Sequence, residues 1–148
     1  MEAPEWNDAL RRYQIATALA DADFSFGAFR QANRDFDMAK LHLRDRFGSV
    51  AKAKADPQAA KEWACIWSAL TAAEEARIMT FSRPRWKAAR ELAMAPAPTL
   101  EAVRLKIEMI KSEELDNNSQ MPGDPMAIIV EDLARLAPAD HPARERMK

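Results

Sequence analysis

Apolar residues recur at intervals of three and four along most of the chain, the period of an amphipathic helix. Trp6, Leu10, Tyr13, Thr17 and Ala20 follow it behind Pro4 and Glu5, which suit a first helical turn, so a helix is predicted over residues 4–23. A second is predicted over 25–46, with Ser25 as its cap and Phe29, Ala32, Phe36, Ala39 and Leu43 as its stripe. That repeat is close to seven, the spacing of helices packed at a shallow angle. Gly48 ends the pattern, and a partly helical connector runs over 48–56.

Asp56-Pro57 reads as a cap followed by a first-turn proline. The helix after it carries Trp63, Ile66, Trp67, Leu70, Ala73, Ile78 and Phe81 on its inner side. A kink or short break is expected at Ser82-Arg83-Pro84, with a short helix over Trp86 to Met94. Ala95-Pro96-Ala97-Pro98 is a stiff linker and Thr99 caps the next helix, whose face is Leu100, Val103, Ile107 and Ile110. A loop follows over 116–123. Asp124-Pro125 then repeats the start signal for a last helix burying Met126, Ile129, Val130, Leu133 and Leu136. The prolines after it predict a frayed tail from about 138. The expected core includes Phe29, Phe36, Leu43, Trp67, Leu70, Ile107 and Leu133.

These elements amount to an all-α fold, an irregular bundle of five to six helices in a single domain spanning residues 1–148. Composition agrees. The chain has only 3 glycines, which disfavours β-hairpins, and its abundant alanine favours helix. At 148 residues, one domain is the default, and it can bury roughly 70% of its unfolded surface. The net charge of −1 creates no global pull toward nucleic acid or membrane. The acidic start, Met1 to Trp6, lacks the apolar region of a secretory signal, and no stretch is predicted to span a bilayer. A cytoplasmic location is expected.

Residues 96–137 carry a resemblance. The run Pro96-Ala97-Pro98-Thr99-Leu100-Glu101-Ala102, then Lys106, then Ile128-Ile129-Val130-Glu131-Asp132-Leu133-Ala134-Arg135-Leu136, resembles small uncharacterised α-helical proteins of alphaproteobacteria. Many of these look prophage- or mobile-element-associated. The resemblance implies a phage-linked cytoplasmic accessory protein and supplies no catalytic residues.

No catalytic, cofactor or metal site is legible. His42 and His141 stand outside any metal or catalytic motif. Cys65, the only cysteine, is expected to be a small buried hydrophobe among Trp63, Ile66 and Trp67. The pairs Glu74-Glu75 and Glu113-Glu114 point about 100° apart on a helix and are expected to be solvated. The suggestive stretch is 77–90, where Arg77, Phe81, Arg83, Arg85, Trp86, Lys87 and Arg90 occur without an acid. Cations interleaved with aromatics suit phosphate contact and base stacking, or an acidic protein. The competing reading puts Phe81 and Trp86 in the core and leaves the charges to solvate the helix.

The function expected first is non-enzymatic: an interaction or accessory protein that binds another macromolecule, by preference a protein, or itself. A nucleic-acid-binding protein using Arg77, Arg83, Arg85, Trp86, Lys87 and Arg90 is the alternative. A helical enzyme is third.

Overall fold

The computed structural model describes residues 3–117 and 121–138. His141 and the tail expected to fray lie almost wholly outside them. The described residues are all-α. In chain order the helices are α1 (Pro4–Phe26), α2 (Ala28–Phe47), α3 (Val50–Lys54), α4 (Pro57–Arg77), α5 (Arg83–Met94), α6 (Leu100–Ser112) and α7 (Pro125–Leu136). They fall into two compact units, Met1–Thr17 with Pro84–Lys148, and Ala18–Arg83.

The start signals do what their chemistry allows. Asp56 Oδ2 accepts from the Ala59 N–H at 3.0 Å, Asp124 Oδ1 from the Met126 N–H at 3.2 Å, and Thr99 Oγ1 from the Ala102 N–H at 3.1 Å. Gly48 closes α2 with φ 87°, and its N–H donates to the Arg44 carbonyl. Ser25 is no cap: α1 continues to Phe26, and the break comes at Gly27. A β-carbon on Gly27 would lie 2.2 Å from Asp23 Oδ1 and 2.7 Å from the Asp23 carbonyl, so only glycine fits there.

Pro84 does not break its helix. The chain stays helical from Pro57 to Met94 through a π-helical turn, Ile78–Ser82, in which the Arg83 N–H donates to the Ile78 carbonyl five residues back. Proline lacks a donor and crowds the carbonyl four residues before it, and the wider turn absorbs both faults.

The first unit packs Trp6 and Ala9 of α1 with Ala89, Leu92 and Ala93 of α5, Val103, Met109 and Ile110 of α6, and Ile129 of α7. Among the described residues, Lys106 at 0% exposure and Asp132 at 2% are charged yet lie within this unit's core. The second unit buries far less. Its core is Leu43, Ala53 and Ala59, with Phe47 and Trp63 half-buried against it.

Of the expected core, only Leu43 is fully buried. Phe29, Phe36, Leu70 and Ile107 are half-buried, while Trp67 is 54% and Leu133 37% exposed. The second unit is thin, so the edge of a stripe there meets solvent. On α7 the inner face runs through Ile128, Ile129 and Asp132, which turns Met126, Val130 and Leu133 outward. Cys65 is exposed rather than buried, because it points away from the Trp63–Ile66–Leu70 side of α4.

Candidate functional site

The basic-aromatic stretch is divided between the units: Arg77 and Arg83 belong to the second, and Arg85, Trp86, Lys87 and Arg90 to the first. Arg77 is turned inward. Its guanidinium lies 5.4 Å from the Phe24 ring and 5.2 Å from the Phe29 ring, with the Asp23 carboxylate at 3.6 Å. Arg83 is exposed, Arg90 half-buried, and Lys87 exposed at 3.9 Å from Glu91. Trp86 is 42% exposed, so it is not a core anchor. Phe81 is half-buried.

Arg85 is already committed. Its Nε donates to Glu113 Oε1 at 2.9 Å, and the Tyr13 hydroxyl donates to the same oxygen at 2.8 Å. Glu113, expected on a solvated face, has a side chain only 2% exposed. It lies three residues beyond Ile110 and seven beyond Lys106, on the buried side of α6, while Glu114 takes a left-handed φ of 54° and faces solvent. The Tyr13 phenol is pushed up to about 12 by burial and then by the adjacent Glu113 carboxylate.

Two outcomes follow. Arg85→Ala should cost about 2–3 kcal/mol in urea unfolding, because it removes the cation that faces a buried carboxylate. A cost below about 0.5 kcal/mol would mean the pair is idle. Tyr13 is the only tyrosine, so phenolate absorbance reads it directly, with a midpoint near 12 expected. A phenol whose folded pKa is raised holds its proton where the unfolded chain has lost it. Its contribution to stability is therefore full below pH 10 and lost as pH climbs toward 12.

The second constellation is Lys106 with Asp132. Lys106 Nζ donates to Asp132 Oδ2 at 2.5 Å and to the Ala95 carbonyl at 2.6 Å, and it lies 5.5 Å from the Trp6 ring centroid. Asp132 Oδ1 also accepts from the Ala97 N–H at 3.2 Å and from Arg135 at 2.8 Å, while Arg135 reaches the Ala97 carbonyl at 2.6 Å. The proline-flanked segment 95–98 forms no helix of its own, and these side chains satisfy its buried backbone groups. Burial lowers the Lys106 pKa, and Asp132 opposes that shift. With no solvent access and its bonds made, Lys106 holds the segment in place.

Reading by residue type alone missed this pair, since charged side chains are seldom buried. A signal existed. Lys106 interrupts the stripe Val103–Ile110 at helical spacing, and Asp132 follows Ile128 and Ile129 in the same way.

Open surface is of two kinds. The first unit has a groove of about 440 Å³ lined by Trp6, Asn7, Pro98, Thr99 and Leu105 among others. The second has one of about 370 Å³ between α2 and α4, lined by Asp35, Met38, His42, Leu43, Glu62 and Ile66 among others. Large apolar side chains also stand in solvent on the second unit: Phe26 at 90%, Met38 at 65%, Met79 at 57%, Trp67 at 54% and Leu41 at 53% exposure. Among the described residues there is no cluster of histidine, cysteine and carboxylate side chains suited to a metal ion, and no helix long and apolar enough to cross a membrane. No protein-family model, curated protein or solved structure matches the chain.

Proposed function

We propose that this is a non-enzymatic accessory protein of the cytoplasm, of prophage or mobile-element type, that acts by binding a protein partner or a second copy of itself. The observation that carries the reading is the imbalance in the second unit. Leu43 is its only fully buried large apolar side chain, while Phe26, Met38, Leu41, Trp67 and Met79 are each more than half exposed. A helical unit that leaves this much apolar area in water gains by covering it. The resemblance of residues 96–137 supports the phage-linked part.

Cross-linking of the protein, alone and in an extract of the host, followed by mass spectrometry tests the reading. Cross-links to a defined species should concentrate on residues 18–83 and be lost in a Trp67→Ser/Leu41→Ser variant that keeps its helicity. Cross-links that are absent, or unchanged by those substitutions, would count against it.

The exposure of Trp86 favours a second reading, nucleic-acid binding through Trp86, Lys87 and Arg90. Arg85, held by Glu113, is not available to it. Salt-sensitive binding of an oligonucleotide that Trp86→Ala and Lys87→Ala weaken would establish that reading in place of the first.

A further inference from the structure

The outer side of α2 carries a pattern that reads the same in both directions. Arg34, Met38, Leu41 and Asp45 are separated by four, three and four residues and are all exposed. At 100° per residue they fall within about 60° of the helix circumference. Leu43, buried against α3 and α4, marks the opposite side. The ends of the stripe carry opposite charges and its middle is apolar, with Met38 65% and Leu41 53% exposed. Neither Arg34 nor Asp45 has an ion-pair partner among the described residues.

We propose that this stripe is the contact through which two copies of the chain pair, α2 against α2, antiparallel about a twofold axis between Met38 and Leu41. The proposal rests on the binding reading above and names the partner for this one surface. In that arrangement Arg34 meets the partner's Asp45, Met38 meets the partner's Leu41, and each contact occurs twice by symmetry. On one flank of the seam, Asp37 and the partner's Arg44 lie on the same side, offset by about 3 Å along the axis. A parallel pairing would set Arg34 against the partner's Arg34 and Asp45 against the partner's Asp45, so charge selects the antiparallel one. A foreign partner would require only a complementary surface. A stripe whose spacing and charge order are both self-complementary is what a second copy requires.

The groove of about 370 Å³ beside the stripe shares Met38 with it and gives the partner's side chains room against His42 and Ile66. Two large apolar side chains per copy make a small seam, at the weak end of specific interfaces. Pairing is therefore concentration-dependent rather than obligate.

Sedimentation velocity from about 1 to about 300 µM in low salt reads the equilibrium. The wild-type chain should pass from monomer to dimer across that range. Arg34→Asp or Asp45→Arg alone places like charges opposite each other twice and should weaken dimerisation at least about ten-fold. The double variant R34D/D45R restores the pattern with reversed polarity and should recover affinity to within about three-fold of wild type. Both positions are exposed, so circular dichroism should show unchanged helicity, and Leu41→Glu gives an independent variant expected to be monomeric.

A wild-type chain that stays monomeric, single reversals that leave the dimer intact, or a double variant that fails to recover would each overturn the pairing. So would an oligonucleotide or a foreign protein found seated on Arg34, Met38 and Leu41 in place of a second copy. A monomeric chain that still cross-links to a defined protein through residues 18–83 would overturn the pairing alone. The loss of both results would overturn the binding reading as well.

Discussion

Asp132→Ala is expected to destabilise the first unit by about 3–5 kcal/mol in urea unfolding, the usual cost of stranding one member of a buried ion pair. Lys106 has no exposed surface, and without Asp132 its ammonium keeps only the Ala95 carbonyl at 2.6 Å and the Trp6 ring. The Ala97 N–H loses its acceptor as well. Asp132→Asn should cost about as much, because an amide oxygen that accepts from the Ala97 N–H leaves the amide NH2 facing the Lys106 ammonium, donor to donor. Replacing both charges, as in K106M/D132L, should recover much of the loss, because well-packed apolar pairs commonly match buried ion pairs in stability. A single substitution costing less than about 1 kcal/mol would show that the pair is hydrated in solution.

The same pair sets a pH dependence. Burial holds the folded-state Lys106 pKa below its ordinary 10.5. Between that lowered value and 10.5 the unfolded chain binds more protons than the folded one, so this group's contribution to stability rises with pH through the window. Asp132 raises the Lys106 pKa, so removing the carboxylate widens the window downward. The stability deficit of Asp132→Ala should therefore shrink as pH is raised from 7 toward 10, where Lys106 can be buried neutral. A deficit that is flat with pH would assign the loss to packing instead.

Local signals were legible and tertiary ones only in part. Asp56-Pro57, Thr99 and Asp124-Pro125 mark helix starts because a side-chain oxygen caps amides two or three residues away, a relation contained in a few residues. Gly48 marks an end for the same reason. Burial is different, because it depends on what lies opposite. Trp67 sits on an apolar stripe yet is 54% exposed, since Phe36 of α2, its ring centroid 5.6 Å away, covers only part of it. Lys106 and Asp132 are charged yet central, because each supplies the other's counterion. The stretch 77–90 is continuous and basic in sequence, but sequence proximity does not decide which of its cations face solvent. Asp23 and Glu113, far away in sequence, take up Arg77 and Arg85.

Trp6→Ala is expected to cost about 3–5 kcal/mol, which would make it one of the most damaging single truncations of the first unit. Trp6 is 4% exposed and packs in the cluster that contains Ala9 and Leu92, so the substitution removes the largest apolar side chain from that core. One effect works against the loss. The groove of about 440 Å³ borders Trp6, so the space vacated opens to water rather than closing as a dry cavity. Water there would solvate the Lys106 ammonium, which now lies 5.5 Å from the indole centroid, and would bring its pKa back toward 10.5. The magnitudes decide the sign. Burying an indole removes about 200 Å² from water, close to 5 kcal/mol at 25 cal/mol per Å², while relief of one already paired ammonium is worth about 1 kcal/mol. Trp6→Phe should retain most of the stability, since the ring still fills the site and faces Lys106. Combining Trp6→Ala with Asp132→Ala should cost less than the sum of the two, because both substitutions act on Lys106. Strict additivity in urea unfolding would show that the indole and the ion pair are independent, and a single-variant cost under about 1 kcal/mol would show that Trp6 is peripheral to the core.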